Sequence, residues 1–377
     1  MEFNILENTR SNLKSHITSQ MTSNLSPLSY EVAERVNAFH CSFPMYEVTP
    51  LCELKDLASY LGLENIYVKD ESFRFGLNAF KVLGASYAIA SLLAQKVAMN
   101  MEDLSYERLI SKEMKNQIGP MFFVSATDGN HGRGVAWAAK QLGQEAMIFM
   151  PKGSAKERVE KIRFEGAKVE VTEGNYDESV RIAHQYAMDQ GGILIQDTSW
   201  EGYEKVPLAI IQGYMTMAYE VLQQLDGVRP SHVFLQAGVG SFATAMTGFF
   251  VNVYGENRPK IIIVEPKEAA CIYKTMEKKD GKIHRVEGEM KTIMAGLACG
   301  EPVSIGIDIL RDYVDYFVSC PDYTAAQGMR VLSSPAGKDE RIISGESGAV
   351  GVGLCYEIMT NERLQEWKEK LELDAHS

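Results

Sequence analysis

Long hydrophobic runs are missing from this 377-residue sequence, and so are the features that mark secretion. No apolar stretch reaches the length of about 20 residues that a membrane-spanning helix needs. The first residues, Met1-Glu2-Phe3-Asn4, do not form the basic segment that precedes the apolar core of a secretory signal. We therefore expect a cytoplasmic protein that does not act in a membrane.

Cysteine is scarce, and basic residues are outnumbered. The six cysteines include no Cys-x-x-Cys pair and no cluster with histidine, so a zinc site is not expected and reduced thiols are the default. Lysine and arginine number 38 against 50 aspartates and glutamates, which gives a formal net charge of −12. This balance argues against nucleic acid or an anionic membrane as the partner, though not against a local basic pocket.

What the sequence does contain is a regular alternation of strand and helix patterns. Its length allows two domains with a large core. Short apolar strand patterns, each followed by a helix pattern, occur at 121–126, 145–150, 167–172, 193–197, 232–236, 260–264 and 316–320. Such alternation predicts parallel sheets covered by helices, and there are too many strands for one ordinary open sheet. We expect two α/β domains that bind ligands at the carboxyl ends of their strands.

Lys81 closes the stretch Asn78-Ala79-Phe80-Lys81 and lies on the first turn of a helix predicted over 80–93. The first amides of a helix are unpaired donors, and the helix dipole is positive there. A lysine in that field loses its proton more easily, and a neutral amine is a nucleophile towards carbonyls. Considered alone, Lys81 is more often interpreted as an exposed surface lysine.

Two glycine-containing turns follow strand patterns. In Thr127-Asp128-Gly129-Asn130-His131, free amides and the Asn130 side chain suit an anion or a phenolic oxygen, and Asp128 is a potential proton acceptor. Considered alone, this segment is better interpreted as a capped Asp/Asn-Gly turn, and we interpret His131 as structural.

The second turn, Gly238-Val239-Gly240-Ser241, combines small residues, free amides, a hydroxyl and a helix start, as a phosphate cup requires. It lacks the third glycine of the dinucleotide fingerprint and the lysine of a P-loop. A single phosphate monoester therefore suits it better than a pyrophosphate.

Two further polar segments carry candidate site residues. Asp197 lies in the loop 196–203 after a strand pattern, and Glu346 opens a glycine-rich helix pattern in 344–349. The simpler interpretation of the first segment is a polar connection in which Trp200 packs against a domain seam. For the second segment, the simpler interpretation is that its glycines allow close helix packing.

Together, a lysine, an asparagine-bearing anion loop and a phosphate cup are the parts that hold pyridoxal 5′-phosphate. The chain resembles the tryptophan-synthase-β-like (fold type II) PLP-dependent enzymes, and within them the diaminopropionate ammonia-lyase family. The motifs that carry the resemblance lie at 69–72, 74–81, 127–139, 150–155 and 294–302.

The resemblance implies α,β-elimination of 2,3-diaminopropionate, as the D or the L isomer, to pyruvate and ammonia. It implies that Lys81 forms the internal aldimine, Asn130 lies near the ring oxygen, and Asp197 faces the substrate. Asp128 becomes a second base, on the ring face opposite Lys81. The resemblance also implies cofactor contacts from the phosphate cup and from the second polar segment. The residues concerned are Gly238, Val239, Gly240, Ser241 and Glu346.

For the architecture, the resemblance implies a homodimer whose subunits each have two mostly parallel α/β domains. The large PLP-binding domain takes 1–80 and 191–377, the small domain takes 81–190, and the cofactor lies in the cleft between them. In this fold a further strand and loop normally follow and offer a Ser or Thr hydroxyl to the ring nitrogen. The residues after Leu373 contain no equivalent of this loop.

Two alternatives stay open. A serine or threonine dehydratase, or a β-replacement enzyme of the same fold, shares the lysine, asparagine and cup. A non-catalytic PLP-binding protein is the second alternative if the short C-terminus is authentic.

Overall fold

The computed structural model describes residues 3–10, 24–127 and 129–377, so the candidate base Asp128 lies outside the described residues. Helices in the described residues are α1 (Tyr30–Cys41), α2 (Lys55–Leu61), α3 (Lys81–Lys96), α4 (Tyr106–Ile110), α5 (Lys112–Ile118), α6 (Asn130–Gln141), α7 (Lys156–Phe164), α8 (Tyr176–Gln190), α9 (Lys205–Gln224), α10 (Ser241–Tyr254), α11 (Cys271–Glu277), α12 (Ile307–Tyr313), α13 (Asp322–Ser333), α14 (Glu346–Thr360) and α15 (Gln365–Leu371). No helix in these ranges is both long and apolar enough to span a membrane.

The strands follow most of the predicted patterns. They are β1 (Asn4–Glu7), β2 (Leu51–Glu53), β3 (Tyr67–Lys69), β4 (Phe122–Ala126), β5 (Glu145–Met150), β6 (Lys168–Val171), β7 (Ile193–Leu194), β8 (His232–Gln236), β9 (Lys260–Pro266) and β10 (Tyr316–Cys320). Each predicted strand after residue 121 has a counterpart, although β7 is two residues long. The structure confirms an α/β fold with mostly parallel sheets flanked by helices.

The chain forms two compact units. The first holds the described residues of Met1–Ser29, Thr49–Ser72 and Glu220–Ser377, and the second holds Tyr30–Val48 and Phe73–Tyr219.

The boundaries drawn from the sequence differ from these units. They placed 30–48, 73–80 and 191–219 in the large domain, whereas these segments belong to the second compact unit. The contacts of α3 with α1 and α9 explain why α1 and most of α9 belong to the second unit. His40 on α1 bonds the carbonyl of Leu83 at 3.2 Å and the hydroxyl of Thr216 on α9 at 2.6 Å. A Cβ on Gly213 of α9 would meet the Leu83 carbonyl oxygen.

The second unit contains a four-stranded sheet in the order β6-β5-β4-β7, with every pairing parallel. Its strands alternate with helices along the chain, as the sequence predicts. Buried apolar side chains of the strands pack under α8 in a cluster that includes Val124, Phe149, Ala183 and Leu194. This sheet brings the carboxyl ends of β4 and β7 side by side, and two candidate site segments follow those ends.

The first unit contains a four-stranded sheet in the order β1-β10-β9-β8. The pairings of β8, β9 and β10 are parallel, and β1 adds an antiparallel edge in which Asn4 lies opposite Ser319. Strands β2 and β3 form a separate antiparallel pair, in which Leu51 lies opposite Lys69. Helices α4 and α5 are separate, because the Ser111 hydroxyl accepts a hydrogen bond from the amide of Met114 and caps the start of α5.

Candidate active site

Lys81 is the first residue of α3, as the sequence predicts. The loop before it contains three residues in the left-handed region, namely Phe75 (φ 49°), Gly76 (φ 70°) and Asn78 (φ 55°). A phenylalanine rarely adopts this conformation, which persists only where packing holds it. The Phe75 ring packs between Trp137 and Phe43, at centroid distances of 4.8 and 5.6 Å. An aromatic cluster therefore sets the path of the chain into Lys81.

Helix α6 holds the same loop from the other side. The Arg133 guanidinium donates one hydrogen bond to the carbonyl of Leu77 at 2.9 Å and two to the Glu165 carboxylate at 3.0 and 2.8 Å. At Gly134 the two helices touch through their backbones, since a Cβ there would lie 2.9 Å from Cα of Val82 and 3.2 Å from the Lys81 carbonyl oxygen. The first turn of α3 is thus fixed directly against α6.

The Lys81 amine forms an ion pair that the sequence did not predict. Its Nζ donates to Oδ2 of Asp197 at 2.7 Å, and the side chains are 26% and 7% exposed. Burial is the largest influence on the Asp197 pKa and raises it, but the interactions with Lys81 and His131 outweigh burial and hold the pKa below its usual range. Asp197 is therefore a buried carboxylate that stays ionised as long as a cation faces it.

His131 contributes to this arrangement more than its structural interpretation suggested. Its Nε2 bonds the carbonyl of Ile195 at 2.9 Å, and its Nδ1 lies 4.0 Å from Oδ2 of Asp197. The histidine both fixes the segment that carries Asp197 and adds to the field that acts on the carboxylate. The only sequence signal for this role was the position of His131 at a helix start after a strand.

Gln196 joins the two strand-end segments. Its buried side-chain oxygen accepts hydrogen bonds from the Ala126 amide at 3.2 Å and the Ser125 hydroxyl at 3.3 Å, and its amide nitrogen donates to the Tyr176 hydroxyl at 2.7 Å. The end of β4 and the segment after β7 are therefore fixed together. Asn130 opens α6 at this turn with an exposed side chain.

The predicted phosphate cup lies between β8 and α10, in the first unit. Gly240 has φ 98°, and a Cβ there would lie 3.0 Å from Cδ1 of Ile272. A Cβ on Gly238 would lie 3.0 Å from Sγ of Cys299. Side chains are thus excluded at both positions, which leaves backbone amides at the start of a 14-residue helix. This cradle fits a phosphate group.

Glu346 is the exposed first residue of α14, in the same unit as the cup. The segment around Gly296 lies between them. A Cβ on Gly296 would lie 3.1 Å from Oγ of Ser347, and a Cβ on Gly238 would lie 3.4 Å from the Gly296 carbonyl oxygen. The start of α14 is therefore a near neighbour of the cup.

The candidate residues thus form two groups, one in each unit. The second unit brings Lys81, Asn130 and Asp197 together with His131, and the first unit holds the cup and Glu346. Within the part of the chain that the structure describes, no cluster of three or more His, Cys, Asp or Glu residues is arranged to hold a metal ion.

A family model described as pyridoxal-phosphate dependent enzyme matches residues 43–370. The chain belongs to this family. The family match confirms the predicted cofactor, pyridoxal 5′-phosphate, and both the lysine and the phosphate cradle fit it.

Similar curated proteins include two diaminopropionate ammonia-lyases. The protein from Salmonella typhimurium is 52% identical over 93% of this chain and 88% of its own length. The protein from Escherichia coli is 53% identical over 93% of this chain and 87% of its own length. The family resemblance inferred from the motifs is confirmed at this level of identity.

Solved structures agree. The holo diaminopropionate ammonia-lyase from Escherichia coli superposes with a TM-score of 0.91 at 48% identity, covering 100% of this chain and 92% of that chain. The same enzyme in complex with an aminoacrylate-PLP azomethine reaction intermediate gives a TM-score of 0.89 at 47% identity, with the same coverage.

Proposed function

We propose that this chain catalyses the α,β-elimination of 2,3-diaminopropionate, which with water gives pyruvate and two molecules of ammonia. The Asp197 carboxylate is the observation that carries the choice of substrate. It is buried and ionised, and the Lys81 amine donates a hydrogen bond to it at 2.7 Å. A substrate that carries two ammonium groups can replace that cation.

The chemistry of Lys81 explains why a substrate ammonium group can replace the Lys81 amine beside Asp197. Pyridoxal phosphate, when bound, supplies the electron sink for cleavage at the α-carbon. Lys81 would hold the cofactor aldehyde through its amine and would not then be the ammonium partner of Asp197. A buried carboxylate left without a cation is costly, so Asp197 favours a substrate that brings a second positive charge. Serine and threonine lack that charge.

The remaining roles follow the residues' chemistry. Lys81, once released from the cofactor, moves the proton of the L isomer, and Asp128 accepts that of the D isomer. Asn130 would hold the ring oxygen, and Gly238, Val239, Gly240 and Ser241 would hold the phosphate through their amides and hydroxyl. Glu346 would contribute to cofactor binding from the start of α14. The 52% identity to a diaminopropionate ammonia-lyase supports this set.

The test compares four substrates. Pyruvate or oxobutyrate release is measured with D-diaminopropionate, L-diaminopropionate, serine and threonine at equal concentration. We expect the two diaminopropionate isomers to be turned over fastest. Faster turnover of threonine would replace the proposal with a dehydratase. Binding of diaminopropionate without release of ammonia would replace it with a non-catalytic PLP-binding protein.

We also propose that the chain works in the cytoplasm as a homodimer, as the fold type II resemblance implies. Light scattering on the purified protein measures the molar mass directly. A mass of twice the 42.0 kDa chain supports the dimer, and a mass of one chain contradicts it.

A further inference from the structure

Glu265 is a buried carboxylate that the proposed reaction does not use. It lies near the carboxyl end of β9 and is 0% exposed. Its Oε1 accepts a hydrogen bond from the Ile272 amide at 2.8 Å, and its Oε2 accepts one from the Tyr273 amide at 2.7 Å. Both carboxylate oxygens are therefore engaged by the first turn of α11.

The residues at the start of α11 touch both glycines of the phosphate cup. The Cys271 thiol donates to the Gly238 carbonyl at 3.6 Å. Cδ1 of Ile272 lies 3.0 Å from the position of a Cβ on Gly240. Cys271 and Ile272 are both 0% exposed, so neither side chain can move aside into solvent.

The strands place Glu265 level with the cup. The Ala237 amide donates to the Val264 carbonyl at 2.9 Å, in continuation of the parallel pairing of β8 with β9. Ala237 immediately precedes Gly238, and Val264 immediately precedes Glu265. One side of the cup is therefore formed by the sheet and by the start of α11, which Glu265 fixes through its two hydrogen bonds.

We propose that Glu265 is a positioning residue of the phosphate cup, which fixes the start of α11 against Gly238 and Gly240 and so sets the affinity for the phosphate group. The inference rests on the proposed function, because it takes the cup as the site of the cofactor phosphate. Glu265 itself touches neither the cofactor nor the substrate in this account.

Both side-chain oxygens of Glu265 are needed, because each accepts a hydrogen bond from a backbone amide. Glutamine keeps the shape but has one acceptor oxygen, and its NH₂ group would face a backbone N–H. Glu265→Gln therefore leaves one buried amide of α11 without an acceptor, and the start of the helix loosens beside the cup.

The test compares the affinities of the apoprotein for pyridoxal 5′-phosphate and for pyridoxal, which has the aldehyde and ring but no phosphate. In Glu265→Gln we expect binding of pyridoxal 5′-phosphate to weaken about tenfold, the effect of one lost buried hydrogen bond. Binding of pyridoxal should change less than about twofold, since it makes no use of the cup. Equal weakening of both ligands, or no change in either, would overturn the inference.

Two further variants complete the design. Glu277→Gln removes an exposed carboxylate from the other end of α11 and should leave both affinities unchanged.

Ile272→Val removes the Cδ1 atom that faces Gly240 but keeps the Glu265 contacts, and should weaken only the binding of pyridoxal 5′-phosphate. If Glu265→Gln does not fold, an unchanged ratio of the two affinities in Ile272→Val overturns the inference. Equal wild-type affinities for the two ligands would refute the phosphate cup itself, and this inference with it.

Discussion

The contact between α3 and α6 at Gly134 gives a sharp prediction. A Cβ at this position would lie 2.9 Å from Cα of Val82, 3.1 Å from N of Val82 and 3.2 Å from O of Lys81. All three atoms belong to the backbone, so no side chain can rotate away. Carbon atoms in contact stand about 3.5–4.0 Å apart, and Gly134→Ala must therefore separate the helices by roughly 0.6–1 Å.

The separation has opposing effects on stability and a large effect on reactivity. Overpacking costs about 1–3 kcal/mol, and the better helix propensity of alanine returns up to about 1 kcal/mol. The net loss of unfolding free energy should be about 0–3 kcal/mol, which is less than the roughly 5–15 kcal/mol of a typical native protein, so the variant should still fold. Lys81 lies at the separated turn, and a misplacement of about 1 Å can lower a rate about 10²-fold.

The assay follows the formation of a borohydride-reducible bond between Lys81 and pyridoxal 5′-phosphate in the apoprotein. Gly192→Ala is the matched control in the same unit, because its Cβ would meet mainly side-chain atoms, Cδ1 of Phe122 and Cγ2 of Val124 at 3.0 Å, and one backbone atom, the Phe122 carbonyl oxygen, at 3.2 Å. We expect Gly134→Ala to slow the reaction by a factor approaching 10² and the control to stay near the wild-type rate. A wild-type rate in a folded Gly134→Ala protein would refute the reasoning.

Three further predictions concern the carboxylates and the lysine. Asp197→Asn removes the charge that selects a dibasic substrate, so kcat/KM should fall more for diaminopropionate than for serine, and an equal fall for both would contradict the proposed role. Because the Asp197 pKa is lowered in the folded protein, its ionisation stabilises the fold above the unfolded pKa of about 3.9, and this stabilisation is lost as the pH falls below that value. The difference in unfolding free energy between wild type and Asp197→Asn, measured in urea, should therefore shrink as the pH is lowered from 5 towards 2, and a constant difference would argue against an ionised Asp197. Asp128→Asn should lower turnover of D-diaminopropionate by about 10²–10⁴-fold and affect the L isomer much less, whereas equal losses would assign Asp128 to orienting the substrate.

Local sequence patterns predicted much of the fold and the starts of the functional helices. The starts of α3 at Lys81 and α10 at Ser241 follow from a glycine-containing loop that gives way to helical periodicity. The strands after residue 121 are visible as short apolar runs, because parallel strands are buried on both faces. These features depend on neighbouring residues and leave a trace in the sequence.

Contacts between distant residues left no such trace. Lys81 and Asp197 are 116 residues apart, and neither residue type indicates that they pair. The edge strand β1 is defined by its pairing with β10, hundreds of residues later, and β7 has only two paired residues. Only the folded chain brings these groups together.

The stoichiometry of the products tests the central claim most directly. Purified protein loaded with pyridoxal 5′-phosphate is incubated with 2,3-diaminopropionate, and ammonia and pyruvate are measured in the same sample. Elimination predicts two molecules of ammonia for each pyruvate in the wild type and loss of both products in Lys81→Ala. Ammonia without pyruvate would indicate replacement instead of elimination, and undiminished release of both products by Lys81→Ala would contradict the role of the lysine.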